Sequence, residues 1–256
     1  MQFYDTKIGD YLARKKRVML MLGSGMERSY ADEIEEGISV KTKYGSAYVS
    51  RMVRPGAYLI MRHGKGQRTP PHMINYMSNI MAAKKLGAEF IIATSAVGAV
   101  NPRIRKGAYV VVNDFIDFTK SPHGTFFGAG GVSYTDMSHP YSETARSALI
   151  KALKACGVKN FVGKGVYVCS EGPRYESPAE IRMYRALGGD VAGMTGVPEV
   201  TLANELGIQY ATLSHVTNMG SGMQRKLSHS EVVKEMGLSL KKTKEILDAA
   251  LDLLQG

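Results

Sequence analysis

Short runs of consecutive apolar residues recur along the chain and alternate with segments whose apolar residues follow helical spacing. The apolar runs are typical of strands covered on both faces. We predict strands at residues 17–22, 58–61, 90–94, 109–115, 162–169, 190–194 and 209–216. Apolar residues at 73, 76, 77, 80 and 81 predict a helix over 73–86, and helical segments follow at 142–156 and 197–206.

Polar residues mark where two further helices begin. Ser177-Pro178-Ala179-Glu180 combines a capping box with proline at the first helical position. Ser228-His229-Ser230-Glu231 is a second capping box, and it opens an amphipathic helix that runs to about residue 254. Residues 38–43 and 47–53 have the pattern of a hairpin that turns at Tyr44-Gly45.

This order predicts an α/β fold, in which helices flank a central, twisted, mixed β-sheet that is largely parallel, with an antiparallel addition near its start. No internal repeat, low-complexity stretch or linker interrupts the pattern, so we expect residues 1–256 to form a single domain. In sheets of this kind, ligands bind beyond the carboxyl ends of the strands. We therefore look for functional residues at the strand ends.

Composition narrows the class of protein. The chain has two cysteines, Cys156 and Cys169, which excludes a disulfide scaffold and a cysteine-based zinc module and fits a reducing cytoplasm. Its apolar runs fall short of the roughly 18–20 residues that a membrane helix needs, and the N-terminal residues do not have the pattern of a signal peptide. We expect a soluble cytoplasmic protein that does not bind membranes.

The net charge of +10 raises the question of nucleic-acid binding. The basic residues are scattered singly or in short groups, and no nucleic-acid-binding motif is present. A positive field also draws small anions toward a protein. We expect small anions, not nucleic acids, to be its partners.

Three strand ends in the first half of the chain carry groups that can hold an anion. They are Gly23-Ser24-Gly25, Arg62-His63-Gly64 and Thr94-Ser95-Ala96-Val97-Gly98. Each has a structural alternative: a plain turn, a loop salt bridge, or hydroxyls bonded back to the backbone. One anion, most simply inorganic phosphate, would explain all three together. No acidic pair for Mg²⁺ accompanies them, which disfavours a nucleoside triphosphate enzyme.

The second half of the chain carries groups suited to a flat heterocycle. Tyr175 could stack on a ring, Glu176 could accept hydrogen bonds from ring N–H groups, and the planar amide of Asn218 offers an acceptor and two donors. The structural alternatives are a helix-entry acid for Glu176, a turn residue for Asn218 and a core residue for Met194. The histidines at 72, 123, 139 and 215 lack metal-ligand spacing, so we expect no metal site.

Together these segments strongly resemble the trimeric nucleoside phosphorylase family, which includes purine nucleoside and methylthioadenosine phosphorylases. The resemblance covers nearly the whole chain. It is carried by the segments 23–25, 62–64, 71–72, 75–76, 96–98, 114–119, 171–176, 193–195, 197–199 and 217–218.

The resemblance implies an α/β nucleoside phosphorylase fold and phosphorolysis, in which a purine nucleoside and phosphate give the free base and ribose 1-phosphate without a cofactor. By position, phosphate would be held by Ser24, Arg62, His63, Ser95, Ala96 and Thr195. Met194 would pack on the ribose, Tyr175 would face the base, and Glu176 and Asn218 would read its edge. The family also implies a homotrimer, or a dimer of trimers, in which Tyr134 is our candidate for a residue lent to the neighbouring site.

The resemblance is mixed as to the substrate: the Arg62-His63-Gly64 segment and residues 114–119 resemble the methylthioadenosine branch, whereas other positions do not. Methylthioadenosine enzymes usually have Asp at the position of Asn218 and another Asp at that of Gly220, and Gln67 replaces a histidine common among them. Asn can donate to a purine O6, whereas ionised Asp cannot. We therefore predict a 6-oxopurine nucleoside as substrate, with S-methyl-5′-thioinosine or methylthioadenosine phosphorolysis as the alternative. His229 resembles the histidine that reads the ribose 5′-OH; the other interpretation is an exposed helix-start residue.

Overall fold

The centre of the structure, a computed structural model, is one β-sheet. The structure describes residues 15–26, 29–64, 69–120, 124–128, 131, 133–225 and 228–256. In these residues the strands are β1 (Val18–Leu22), β2 (Ile34–Thr42), β3 (Gly45–Met52), β4 (Ala57–Met61), β5 (Phe90–Ala99), β6 (Tyr109–Phe118), β7 (Phe161–Ser170), β8 (Val191–Gly193) and β9 (Gln209–Met219). The α-helices are α1 (Tyr76–Lys85), α2 (Glu143–Ala155), α3 (Pro178–Ala186), α4 (Gly196–Glu205) and α5 (His229–Gln255), with short 3-10 helices at Ala31–Glu33 and Pro71–Met73.

The strands follow the order β2-β3-β4-β1-β5-β8-β7-β6-β9, and β9 also pairs with β5. The last five strands of this order therefore close into a ring. Parallel pairs (β1 with β4 and β5, β5 with β9, β7 with β6 and β8) are combined with antiparallel ones at β2–β3, β3–β4, β5–β8 and β6–β9. The predicted mixed sheet with an antiparallel addition near its start is confirmed.

Helices cover the sheet on both faces and bury its apolar side chains. Residues of α1 and α4, such as Ile80 and Val200, pack in one core cluster, and residues of α2 and α5, such as Leu149 and Leu251, pack in a second; α3 contributes to a third, smaller one. All five residues of β1 are buried, which is the reason for its continuous apolar run. No helix of the described residues has the length and apolar character to cross a membrane.

Several strands run further than the sequence pattern predicts. β5 continues to Ala99 and β9 to Met219, because the two strands stay hydrogen-bonded along their whole length, with one irregularity at Val97/Gly98. Ser95 and Asn218 therefore lie within paired strands and not in loops beyond them. The first helix is shorter than predicted: Asn75 accepts a hydrogen bond from the Ser78 N–H and so starts α1 at Tyr76.

The two predicted capping boxes have different outcomes. At α3, the Ser177 hydroxyl accepts from the Glu180 N–H and the Glu180 carboxylate accepts from the Ser177 N–H, so this box is complete. At α5, Ser228 accepts from the Glu231 N–H, but the Glu231 carboxylate binds Lys106 and Gln224 instead of returning to the helix start. The second capping box is thus only half formed.

Candidate active site

A cavity of about 540 Å³ lies at the strand ends of β1, β4, β5 and β9, beside the first turn of α5. Its volume is in the range of small-molecule sites. Eleven of the twelve predicted site residues line it: Ser24, Arg62, His63, Ser95, Ala96, Tyr175, Glu176, Met194, Thr195, Asn218 and His229. Tyr134 does not, and its side chain is 93% exposed. A larger cleft at the start of α2 contains none of these residues.

Arg62 lies at the end of β4 and is fully enclosed. Its Nε and Nη2 donate to the two oxygens of Glu199, the latter at 2.8 Å, and its Nη1 donates to the Thr94 carbonyl at 2.7 Å. The side chains of Arg62 and Glu199 are 1% and 0% exposed. Burial works against the charged guanidinium, but the Glu199 carboxylate outweighs it, and the pKa of Arg62 is raised. The structural alternative for Arg62, a salt bridge in a solvated loop, is thus wrong as to its surroundings, because the ion pair is buried and bidentate.

The turn after β1 brings backbone close to this guanidinium. The Gly23 N–H donates to Thr94 Oγ1 at 3.1 Å, and a Cβ at position 23 would lie 2.8 Å from Arg62 Nη1. Any residue larger than glycine at position 23 would therefore displace the Arg62 guanidinium. His63 Nδ1 is 2.8 Å from the Thr69 carbonyl oxygen; since a carbonyl only accepts, Nδ1 carries the hydrogen of this bond.

Two more cavity residues are held by partners on neighbouring elements. Ser95 Oγ is 2.8 Å from Ser214 Oγ, its register partner on β9, and both side chains are buried. Thr195 stands at the start of α4, where the Tyr167 hydroxyl accepts from the N–H groups of Thr195 and Gly196. The start of a helix carries partial positive charge, which favours an anion there.

The loop between β7 and α3 supplies Tyr175 and Glu176. Glu176 Oε1 accepts from the Ser170 hydroxyl at 2.6 Å, so this carboxylate is oriented from the end of β7. Partial burial, with the nearby charges of Glu176 and Glu231, raises the pKa of Tyr175. Both Nη atoms of Arg174 donate hydrogen bonds to the Glu180 carboxylate, at 2.8 and 2.7 Å, and so join the loop to α3.

The Asn218 amide has a defined orientation. Its Nδ2 donates to the Met219 carbonyl at 3.0 Å, and its Oδ1 is 2.9 Å from the Thr217 hydroxyl, which can donate to it. Because a carbonyl cannot donate, exchanging the amide nitrogen and oxygen would set two acceptors against each other. Nδ2 has a second hydrogen, for which the described residues offer no acceptor. A Cβ at Gly98, on the neighbouring strand, would lie 2.8 Å from Nδ2.

The remaining predicted residues lie at the rim of the cavity. Met194 is partly buried and packs so closely on Gly172 that a Cβ there would lie 2.6 Å from its sulfur. His229 is exposed as the first residue of α5, with Val232 and Val233 beside it on the cavity wall. Gln67 and His123 lie outside the described residues, within which no group of three or more acidic, histidine or cysteine side chains could hold a metal ion.

The sequence reasoning missed the residues that hold the lining ones in place. Glu199 was noticed only as part of a motif, and Ser214, Tyr167 and Tyr210 not at all. Tyr210 donates to Glu199 Oε2 at 2.8 Å. A buried acid in the first turn of a helix is a weak signal in sequence, because an exposed acid is favourable there as well.

Comparison with known proteins gives the family. The sequence profile of the Phosphorylase superfamily matches residues 17–252. The chain belongs to the Phosphorylase superfamily. A 6-oxopurine nucleoside phosphorylase of Pyrococcus furiosus is 43% identical over 248 residues, 93% of either chain. A probable S-methyl-5′-thioinosine phosphorylase of Methanothermobacter thermautotrophicus is 42% identical over 234 residues, 90% of this chain and 81% of that protein.

The fold of this superfamily member matches solved structures as well. A methylthioadenosine phosphorylase from Schistosoma mansoni, in complex with adenine, superposes with a TM-score of 0.89 at 29% identity, over 93% of this chain and 92% of that one. The predicted resemblance to nucleoside phosphorylases and the predicted fold class are therefore confirmed. The roles of individual residues stay predictions.

The pKa of Glu180 tests the ion pair with Arg174 that joins the Tyr175–Glu176 loop to α3. The hydrogen bonds from Arg174, followed by that from the Ser177 N–H, lower the pKa of Glu180 to about 2. Because this pKa is lower in the folded than in the unfolded state, where it is about 4.3, the ionised carboxylate stabilises the fold at pH values above about 4.3. This stabilisation is lost as the pH falls toward 2. We expect Arg174→Ala to raise the Glu180 pKa, measured by NMR titration, part of the way toward 4.3. Arg182→Ala, on the same helix, is the control; equal values in both variants would contradict the assignment.

Proposed function

We propose that the protein cleaves 6-oxopurine nucleosides with phosphate, giving the free base and ribose 1-phosphate. A phosphate oxygen attacks C1′ of the ribose as the bond from C1′ to the purine N9 breaks. The electron pair of that bond goes to N9, and the base takes up, through solvent, the proton that hydrogen phosphate gives up as it forms the ester. The reaction passes through a cationic C1′ and an anionic purine, so a catalyst has to stabilise both charges.

The phosphate-binding role rests on the groups in one part of the cavity, which we call the phosphate-binding half; the part lined by Tyr175, Glu176 and Asn218 is the base-binding half. Arg62, His63 and the hydroxyls of Ser24, Ser95 and Thr195 supply donors, and the start of α4 and the backbone at Ala96 adjoin them. Phosphate held beneath C1′ would stabilise the cation electrostatically and then attack it. This requires no metal, cofactor or covalent enzyme intermediate.

The observation that carries the choice of 6-oxopurine is the orientation of Asn218. Its Nδ2 donates one hydrogen to Met219, and the second has no acceptor among the described residues, so that it is available to a ligand in the cavity that Asn218 lines. Such a donor suits O6 or N7 of a hypoxanthine or guanine anion, and Glu176 can accept from the ring N–H groups. Relatives named 6-oxopurine nucleoside phosphorylase, at 40–43% identity, support the same choice.

The second candidate is phosphorolysis of S-methyl-5′-thioinosine, which has the same base. Val232 and Val233 stand beside His229 on the cavity wall, and apolar side chains favour a methylthio group over a hydroxyl. The probable S-methyl-5′-thioinosine phosphorylases among the relatives agree with it. His229 favours the 5′-hydroxyl, because its imidazole can hydrogen-bond that group.

The proposal includes a homotrimer, or a dimer of trimers, in the cytoplasm, with a role in purine salvage. Tyr134 lies outside the cavity of its own chain and is almost fully exposed. This exposure suits a residue that reaches the cavity of a neighbouring subunit, where Tyr134 would close the nucleoside side.

The first test is release of free base from inosine, guanosine, adenosine and methylthioinosine, with and without phosphate. We expect hypoxanthine release from inosine only with phosphate, and adenosine to react much more slowly, since Asn218 donates where a 6-amino group also donates. Equal rates on inosine and adenosine would contradict the 6-oxopurine assignment. A preference for methylthioinosine over inosine would favour the second candidate.

Asn218→Asp replaces the donor by a carboxylate. We expect inosine kcat/KM to fall by about 10²–10³-fold, as for loss of one preorganised transition-state donor. Activity on 6-aminopurine nucleosides should suffer less. Asn160→Asp, which adds the same charge at an exposed position, is the control. Unchanged inosine kinetics in Asn218→Asp would mean that this side chain does not contact the base.

His229→Ala tests the reading of the 5′-hydroxyl. We expect it to cost inosine about 1–3 kcal/mol in kcat/KM, the contribution of one hydrogen bond to the substrate. 5′-Deoxyinosine and methylthioinosine should be almost unaffected, because neither has the hydroxyl. Ser230→Ala, one residue along α5, serves as control. If His229→Ala slows all three substrates equally, the residue does not read this group.

A further inference from the structure

Glu199 is the most deeply buried acid around the cavity, yet it does not line it. Its side chain is fully buried in the first turn of α4. The carboxylate accepts from Arg62 Nε and Nη2 and, at 2.8 Å, from the Tyr210 hydroxyl. Removing a carboxylate and a guanidinium from water costs several kcal/mol per ion, and their mutual attraction offsets this cost only if the pair is well hydrogen-bonded. Two apolar side chains of similar volume often stabilise a fold as well as such a pair does, so stability alone does not explain these charges.

The pair fixes the direction of the guanidinium. A planar fork bonded on two adjacent nitrogens cannot rotate about its stem, whereas a single bond would leave it free to swing. A third hydrogen bond, from Nη1 to the Thr94 carbonyl, fixes the other side of the guanidinium. The backbone at Gly23 packs against Nη1, where a Cβ would lie 2.8 Å from it. These three bonds leave the other guanidinium hydrogens for the cavity that Arg62 lines.

Glu199 also connects two separate parts of the phosphate-binding half. It lies one turn beyond Thr195, which begins α4 and lines the same cavity. Through Arg62 it is bonded to the end of β4, and through Tyr210 to β9. A shift of Glu199 would therefore change the position of Arg62 relative to Thr195, the two residues that we propose hold the same anion.

The Tyr210 hydroxyl stays protonated in this arrangement. Burial, followed by the Glu199 charge, raises its pKa well above the ordinary value. It is therefore a fixed donor to Glu199 Oε2 across the accessible pH range.

We propose that Glu199 is a positioning residue for phosphate, which acts through Arg62 and is itself held by Tyr210. Glu199 aligns the guanidinium on the anion and cancels its charge, so that phosphate binds by directed hydrogen bonds in a site of low net charge. The inference rests on the proposed phosphorolysis.

The test compares Glu199→Gln with the wild-type protein, using inosine and inorganic phosphate. The amide replaces one of the two acceptor oxygens by an NH₂ donor, which would face a guanidinium N–H, so the bidentate bond to Arg62 is lost. We expect the phosphate KM, and the phosphate Kd from calorimetry without nucleoside, to rise about tenfold or more, as for one lost charge-assisted hydrogen bond. The inosine KM should change by less than about twofold, because the base-binding half is untouched.

Two further variants keep the test decisive. Glu143→Gln removes the carboxylate partner of another buried arginine, Arg146, whose side chain is 4% exposed and outside the cavity. It should leave the phosphate KM and Kd unchanged. Tyr210→Phe keeps the charge and the ring, and should raise phosphate KM about two- to fivefold even if Glu199→Gln does not fold.

The outcomes separate this inference from the function on which it rests. Wild-type protein that releases no hypoxanthine with phosphate would contradict the proposed function itself. With an active wild type, the positioning role is overturned if phosphate binds equally well or more tightly in Glu199→Gln and Tyr210→Phe. It is also overturned if the phosphate and inosine KM values rise together, as general loosening of the fold would cause.

Discussion

The buried ion pair of Arg62 and Glu199 holds the cavity in its shape. It bonds the end of β4 to the first turn of α4, with both side chains almost completely shielded from water. Because a buried charge without its partner is strongly destabilising, the two elements are held at one separation and one angle. The glycine turn after β1, the Thr94 carbonyl on β5 and Tyr210 on β9 all pack around this pair. The carboxyl ends of β1, β4, β5 and β9 and the start of α4 line the cavity beside it.

The cavity draws on both halves of the chain, because β5 from the first half pairs with β9 from the second along its wall. This parallel pairing sets Ser95 opposite Ser214 and Gly98 opposite Asn218. Ser95, which we propose for phosphate, and Asn218, which we propose for the base, thus line the same cavity only a few residues apart along one ladder. The missing side chain at Gly98 leaves room for the amide. A nucleoside and phosphate in the two halves of the cavity would meet at the ribose between them.

The sequence predicted those parts of the structure that depend on interactions between residues close together in the chain. The apolar runs gave the strands, and the Ser177 capping box gave the start of α3, because burial and caps act over a few residues. The residues lining the cavity were found because strand ends meet at one edge of a sheet. The family resemblance supplied their individual roles.

What the sequence did not reveal depends on contacts between distant residues. Glu199 meets Arg62 across 137 residues, and Ser214 meets Ser95 across 119. Neither partner can be chosen before the sheet order is known. The extension of β9 to Met219 depends on β5 in the same way. At α5, the competing partners Lys106 and Gln224 draw Glu231 away from the cap, although the local pattern matches that at α3.

In the proposed phosphorolysis, an oxygen of phosphate forms the new bond to C1′. Turnover of inosine with phosphate labelled with ¹⁸O at every oxygen tests it most directly, with the sugar product analysed by mass spectrometry and ³¹P NMR. We expect ribose 1-phosphate that retains all the labelled oxygens, including the one bonded to C1′. Free ribose formed with oxygen from water, at a rate independent of phosphate, would contradict it.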